Sequence, residues 1–256
     1  MNKRTLGLVC IVLAIVLMSF GFMFGAKSES DDDWEKEGTG TVTVTPSSIT
    51  ASIVNYYPSD PNNPAIVYVG NSITISVTFK NTGSTAWKFL AAATIYDASG
   101  NVVDHYETTL DTALQTNEQK TVSWSHTVKN VGDYWLQFGI YKTKFAEDDR
   151  LDRQPSPSQR LIVGFTLPTI GSFSVTVPSQ GSGTATISVS NPNTIPIKVT
   201  GFQLIDKGGF IGDIVLATNL PLEIAAGQTG NIQLSVVDKG SSASTYTIRF
   251  KLSGTP

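Results

Sequence analysis

The chain has 256 residues, of which 40% are hydrophobic and only 15% are charged, and its formal net charge is −3. This charge excludes nucleic-acid binding across the whole surface, and a single cysteine excludes a scaffold of internal disulfides. Plentiful β-branched and aromatic residues exclude a broadly disordered chain, and the length suits one or two domains.

The N-terminal segment predicts export. No residue between Thr5 and Ala26 is charged, and a helix over this stretch would be about 33 Å long, enough to cross a bilayer core. Lys3 and Arg4 precede it and acidic residues follow it, so the rest of the chain is expected outside the cytoplasm. We expect residues 1–26 to be an uncleaved transmembrane anchor. The alternative is a signal peptide that is cleaved at Ser19-Phe20-Gly21, after which the chain would be secreted.

Residues 27–44 predict an acidic tether. Acidic residues outnumber basic ones there, and like charges keep a segment extended and solvated. We interpret it as a spacer; a calcium or partner site at Asp31-Asp32-Asp33 is the alternative. The alternating stretch from Thr41 to Thr45 is expected to be the first strand of the next domain, or else a strand donated to a neighbour.

Residues 45–165 predict a first β-sandwich. Apolar residues alternate with polar ones in 72–80, 121–128 and 134–141, and turn signals separate these runs. Such alternation marks strands with one buried face and one solvated face. The polar, proline-containing stretch 147–158 predicts a long loop before a last strand over 160–165.

Residues 166–256 predict a second, smaller sandwich. The alternation returns around Val175, Ile187, Leu234 and Ile248. No convincing helix follows Ala26. The fold class predicted for the chain is therefore all-β, with two tandem immunoglobulin-like β-sandwich domains after an N-terminal transmembrane helix.

Three segments of the first domain share a pattern with a known family. A strand ends in Asn81-Thr82-Gly83, another ends in a hairpin at Gly100, and Gly132-Asp133-Tyr134 opens a long strand. This resembles the CARDB-type and related immunoglobulin-like modules of prokaryotic surface proteins. Tyr134, just after a turn, is also expected to act as a tyrosine corner, with its hydroxyl bonded back to the backbone.

The second domain has its own resemblance. A strand ends in Asn191-Pro192-Asn193, and a later strand starts after the turn at Ala226-Gly227. This is similar to the LEA14 or water-stress (WHy) domain family. The resemblance implies a small β-sandwich without catalysis, in a desiccation-protective or membrane-tethered role.

The residues needed for catalysis are scarce. His126 lies on an apolar strand face and is interpreted as structural, and His105 is interpreted as a surface residue. A shared His105–His126 site requires neighbouring strands. The acidic residues Asp148, Asp149 and Asp152 could bind calcium, but interleaved arginines favour a solvated loop. We expect no enzyme, no catalytic or metal-binding residue and no cofactor.

The aromatic first domain offers a candidate contact surface. Trp135, Gln137 and Tyr141 fall on the strand face opposite Leu136 and Phe138. An exposed row of this kind could stack on sugar rings or anchor a protein partner. The alternative is that this face is covered, or that Trp135 packs under a loop.

These observations predict a non-catalytic, membrane-anchored cell-surface protein, with an archaeal envelope as its setting. Its role would be structural, adhesive or partner-binding, with protein or glycan partners and no nucleic acid. The alternatives are a secreted subunit that self-assembles into a filament or envelope lattice, a carbohydrate-binding module, and a stress-protective domain of the LEA14 kind.

Overall fold

The computed structural model describes residues 40–41, 47–242 and 244–256. The chain divides into two units, Met1–Thr45 and Pro46–Pro256, and the strands lie in the second. The predicted membrane segment from Thr5 to Ala26 and most of the tether fall outside the described residues. Among the residues that are described, no helix has the length and apolar character needed to span a membrane.

The described chain is almost entirely β-structure, which confirms the predicted fold class. The first sandwich consists of β1 (Ala51–Tyr57), β2 (Ala65–Tyr68), β3 (Ser72–Asn81), β4 (Leu90–Tyr96), β5 (Val102–Thr109), β6 (Gln119–Thr127), β7 (Gly132–Tyr141) and β8 (Arg150–Phe165). The second consists of β9 (Thr169–Ile170), β10 (Ser182–Ser190), β11 (Ile197–Asp206), β12 (Gly212–Leu216), β13 (Leu222–Ile224), β14 (Thr229–Asp238) and β15 (Arg249–Thr255).

The first sandwich packs a three-stranded sheet, β1-β3-β6, against a five-stranded sheet, β2-β8-β7-β4-β5. In β3, β6 and β7 the inward residues are those that the period of two predicted. Ile75, Val77 and Phe79 from one sheet and Leu136 and Phe138 from the other are fully buried in one core. Burial of side chains of this size supplies about 1.5–3 kcal/mol each, and the alternation leaves the other face of β3 and β6 to Ser, Thr and Lys side chains. Strand β4 differs, because six of its seven residues are buried and both of its faces are covered.

Strand β8 corrects the predicted loop over 147–158. Only Glu147–Asp149 is a short 3₁₀ turn, and the strand begins at Arg150 rather than at Arg160. Arg153 pairs with Gly139, while the ladder is interrupted between Gln154 and Gln159. The two prolines of this stretch lie in that interruption, since proline has no N–H to give to a ladder. The polar composition misled the prediction because one face of this strand is turned away from the core.

The second sandwich packs β12-β14-β10-β9 against β13-β11-β15. Its core includes Ile187, Ile232 and Leu234, all fully buried. Phe173, Val175 and Val177 alternate as the sequence predicts and pack against this core, but they belong to no strand. Strand β9 reaches only Val189 and Ser190 of β10.

Both sandwiches contain the same buried asparagine arrangement. Asn81 Nδ2 donates to Thr85 O, four residues on, and to Leu114 O, 33 residues on. Asn191 Nδ2 donates to Ile195 O and Ile224 O at the same two separations. We call these the asparagine latches. One latch ties the end of β3 to the chain before β6, and the other ties the end of β10 to the chain before β14. The two domains therefore share one local architecture.

Hydrogen bonds also join the two sandwiches. Thr166 N donates to Asn193 Oδ1 at 2.7 Å, and Asn193 Nδ2 donates to Thr166 O at 3.0 Å. Asp133 of the first sandwich accepts from Thr194 Oγ1 at 2.8 Å and lies 3.4 Å from Arg160 Nη1. The turn after β10 is thus fixed to the end of β8 and the start of β7.

Candidate functional site

The outer face of the five-stranded sheet holds the residues that the sequence singled out. Because Leu136, Phe138 and Ile140 face the core, the β7 side chains that alternate with them, Trp135, Gln137 and Tyr141, are directed outward. Gln137 lies beside Thr94 of β4, and Trp135 lies between Tyr96 of β4 and Arg160 of β8 in the ladder.

A cavity of about 110 Å³ opens on this outer face. Its aromatic and polar lining comes from three strands and one loop: Thr94, Tyr96, Gln137, Tyr141, Phe145, Glu147 and Arg153. We call it the outer-face cavity. Two of the three predicted contact residues, Gln137 and Tyr141, line it, whereas Trp135 lies further along β7 and does not.

At Tyr141 the structure agrees with the alternative of a covered face and not with an exposed row. This side chain is only 6% exposed, because Phe145 from the loop between β7 and β8 packs against it with ring centres 4.9 Å apart. Phe145 also packs on the His105 ring at 4.3 Å. Burial raises the pKa of the Tyr141 hydroxyl, so the group stays a neutral hydrogen-bond donor at physiological pH.

Gly139 provides the space in which the Tyr141 ring lies. A Cβ atom at position 139 would be 2.7 Å from the hydroxyl and the ring carbon Cε2 of Tyr141. A side chain there would therefore displace the ring. The glycine is needed for close approach, not for a special backbone conformation.

The loop over the cavity is held by Asp149. Its Oδ2 accepts from Thr143 N and Lys144 N at 3.1 Å each, and also from Thr143 Oγ1. The Thr143 hydroxyl bond, together with the two backbone bonds, lowers the pKa of Asp149. The ionised Asp149 carboxylate accepts all three bonds, and these bonds fix the conformation of the loop that carries Phe145.

Arg153 is the unusual group in the cavity lining. Its Nε is buried without a hydrogen-bond partner, and no described residue bonds or pairs with its guanidinium. Arg150 and Arg160 on the same strand are both paired, with Glu147 and Asp133 respectively. A buried donor without a partner costs about 1–3 kcal/mol of folding free energy. The unpaired Nε of Arg153 therefore requires an explanation.

The cavity also contains uncommitted neutral groups. The hydroxyls of Tyr96 and Tyr141 make no hydrogen bond to any residue in the described part of the chain. Gln137 Nε2 donates to Pro155 O at 3.1 Å, which leaves its carbonyl oxygen facing no described donor. Thr94 Oγ1 is already used, since it lies 2.9 Å from His105 Nδ1. The lining therefore offers the guanidinium and the two phenol hydroxyls as donors, and the Gln137 carbonyl oxygen and the Glu147 carboxylate as acceptors.

The three carboxylates considered for calcium have separate partners. Asp148 lies 3.9 Å from Lys144 Nζ, Asp149 binds its own loop, and Asp152 Oδ2 accepts from Ile53 N at 2.7 Å. Among the described residues, no group of three or more His, Cys, Asp or Glu side chains could hold a metal ion.

The two histidines do not form one site. His105 lies on the outer face, with Nε2 2.9 Å from Glu107 Oε1. His126 is only 3% exposed in the interior, where Nδ1 lies 3.3 Å from Asp104 Oδ2 and Nε2 has no partner. Tyr106 donates to the same carboxylate oxygen at 2.6 Å. This cluster joins the edges of the two sheets and has a structural role, as predicted for His126.

The predicted tyrosine corner is confirmed. Tyr134 OH donates to Asn130 O at 2.9 Å, four residues upstream. Gly164 leaves room for this turn, because a Cβ there would lie 2.2 Å from Asn130 O. The interaction fixes the start of β7, the strand that carries Gln137 and Tyr141.

Sequence reasoning missed Arg153, Phe145 and Tyr96 as lining residues. Arg153 lay in a stretch predicted as loop, and Phe145 reaches the site only through the path of its loop. Tyr96 had a usable signal, since it alternates with Thr94 on the strand that pairs with β7.

The tandem immunoglobulin-like sandwiches define the class of the chain; no protein-family model and no curated protein matches it. Similar solved structures include the CARDB domain of the PF1109 protein from Pyrococcus furiosus, in complex with di-metal ions. It is 15% identical and covers 48% of this chain and 99% of its own, with a TM-score of 0.29. Red sea bream transglutaminase is 11% identical over 83% of this chain and 29% of its own, with a TM-score of 0.30.

The neighbours thus include a CARDB domain, the module that the first domain resembles. At these TM-scores we draw no conclusion about function from them. None of the comparisons bears on the LEA14/WHy resemblance, which stays a prediction.

Proposed function

We propose that the chain is a non-catalytic binding module displayed outside the cytoplasm, with the outer-face cavity as its ligand site. The observation that carries this proposal is that a guanidinium and two phenol hydroxyls, none bonded to a described residue, converge on one cavity beside aromatic rings. Ligand sites commonly combine an apolar lining with a few convergent polar groups of this kind.

Display on the membrane rests on the sequence. The uncharged stretch from Thr5 to Ala26 and the acidic tether after it support an anchor with both sandwiches outside. The intact mass of the protein from its own cells, before and after external protease, tests this. A retained N-terminus with loss of both sandwiches supports the anchor. A mass that starts beyond Gly21 supports secretion instead.

A second candidate role is self-assembly. Along β10, β14 pairs from Ser182 to Ser190 on one side, whereas on the other side β9 pairs only with Val189 and Ser190. An incompletely paired strand can accept a strand from another copy. Filaments of the purified chain in electron micrographs would support this role. A monomeric chain at high concentration would count against it.

The binding role is tested with the full-length chain in detergent micelles. Affinity electrophoresis through gels that contain neutral or acidic polysaccharides measures retention. We expect retention by at least one polysaccharide and its loss in Tyr141→Ala, because that change removes one wall of the cavity. Tyr57→Ala, at an exposed position away from the site, serves as the control. No retention in any gel would refute the glycan form of the proposal.

A further inference from the structure

We propose that the outer-face cavity binds the carboxylate group of an acidic sugar, and that Arg153 is the residue that pairs with it. This inference rests on the proposed binding function and names the ligand chemistry. The inference starts from the Arg153 guanidinium, whose Nε is buried and has no acceptor among the described residues.

The geometry of arginine favours a carboxylate. Nε–H and one terminal N–H of a guanidinium point in parallel and fit the two oxygens of a carboxylate. No described carboxylate fulfils this role. Glu147 lines the same cavity but is ion-paired with Arg150, and Asp152, the neighbour of Arg153 in the chain, binds Ile53 N. A ligand carboxylate would supply the missing acceptor.

The other lining groups suit a sugar. A sugar ring presents hydroxyls, which both donate and accept, and apolar C–H faces, which pack on aromatic rings. The hydroxyls of Tyr96 and Tyr141 and the carbonyl oxygen of Gln137 can meet those hydroxyls, while Phe145 and the Tyr141 ring provide the aromatic surface.

The size of the cavity limits what enters it. About 110 Å³ corresponds to about four waters at about 30 Å³ each, which is room for a carboxylate and the carbons next to it. The rest of the saccharide would lie across the outer face, toward the half-buried Trp135 on the same strand. This arrangement predicts binding of one uronic acid unit at a time.

The test is isothermal titration of the full-length chain in detergent micelles with trigalacturonate and with its methyl ester. The ester keeps the sugar and removes the charge. We expect the ester and the Arg153→Gln variant each to weaken binding at least about tenfold, the effect of losing a charge-assisted bidentate pair. Arg153→Lys should restore only part of the affinity, because lysine cannot bind in the bidentate mode. Arg249→Gln, at an exposed position on β15, is the matched control and should bind like the unaltered chain.

A further variant separates this proposal from the general binding function. Gly139→Ala displaces the Tyr141 ring without changing any charge, so it should weaken acid and ester alike. If acid and ester bind equally, and if Gly139→Ala weakens both but Arg153→Gln weakens neither, the proposed carboxylate pairing is wrong. The cavity would still be a binding site. If the chain binds poly-L-glutamate through Arg153 but does not bind trigalacturonate, the ligand is a carboxylate that does not belong to a sugar, and the sugar part of the proposal is wrong. Binding of none of these probes to the folded chain would overturn both.

Discussion

The asparagine latches permit a prediction whose size follows from their hydrogen bonds. In Asn81→Ala, Thr85 O loses the only hydrogen-bond donor that the described residues give it. Leu114 O keeps a bond from Trp87 N, and Gly83 N keeps its bond to Thr50 O. One orphaned carbonyl costs about 1–3 kcal/mol, and the weakened bonds and the space left by a fully buried side chain add to it. We therefore expect the first sandwich to lose about 2–4 kcal/mol of unfolding free energy.

The assay uses the placement of tryptophan. Of the four tryptophans, Trp87, Trp124 and Trp135 lie in the first sandwich, Trp34 precedes it in the acidic segment, and none follows Trp135. With Trp34→Phe as the common background, fluorescence during urea unfolding of the full-length chain therefore reports the first sandwich. With a slope of about 1–3 kcal/mol per molar urea, the midpoint should fall by about 1 M or more. Asn71→Ala is the control, because the Asn71 side chain is exposed and bonds to no described residue. It should change the free energy of unfolding by less than about 0.5 kcal/mol.

The second latch provides the complementary result. Asn191→Ala leaves Ile195 O without its donor and should destabilise the second sandwich by a similar amount. Scanning calorimetry should detect the loss, while the fluorescence midpoint moves less, through the bonds between Asn193 and Thr166. Equal midpoints for Asn81→Ala and Asn71→Ala would refute the reasoning, because they would mean that the latch contributes nothing.

Three further predictions concern the fold that carries the site. Tyr134→Phe removes the bond to Asn130 O and should cost about 0.5–1.5 kcal/mol in urea unfolding. Gly164→Ala places a Cβ against Asn130 O and should cost more than Tyr134→Phe does, a ranking that thermal melts can check. Burial lowers the pKa of His126 in the folded state, despite the opposing effect of Asp104. As the pH falls below about 6.5, the unfolded chain therefore protonates this imidazole before the folded chain does, and the free energy of unfolding decreases. Comparison of urea midpoints at pH 7.5 and 5.5 should show a smaller difference in His126→Gln.

The sequence predicted those parts of the fold in which a strand has one buried face. The run from Ser72 to Lys80 became β3, and the run from Tyr134 to Tyr141 became most of β7. It did not predict the first half of β8, because hydrogen bonds to β7 and not hydrophobic alternation define that strand. For the same reason Arg153 could not be recognised, since its place beside Gly139 depends on that pairing.

The candidate site was predictable only along one strand. A period of two places Gln137 and Tyr141 on one face of β7 without any knowledge of tertiary structure. Whether that face is open depends on the loop over 142–149, and the sequence carries no signal for where Phe145 comes to lie. The face of β7 that could have been an open row is therefore partly covered by this loop and forms the wall of a cavity.

Arg153 provides a last prediction, which links the binding site to stability. A guanidinium that is held by protein partners stabilises the fold, and its removal leaves those partners unpaired. Arg153 has no such partner in the described part of the chain, and its buried Nε makes no hydrogen bond there. Arg153→Met should therefore leave the urea midpoint of the full-length chain unchanged or raise it, by up to about 1 kcal/mol, because methionine keeps the apolar stem and removes the orphaned donor. Arg160→Met, which breaks the pair with Asp133, should lower the midpoint under the same conditions.

A functional residue often lowers the stability of the unliganded protein, because its polar group is arranged for a ligand and not for the fold. If Arg153→Met lost more than about 1 kcal/mol, the guanidinium would have a structural role, and the assignment of the outer-face cavity as a carboxylate site would lose its basis.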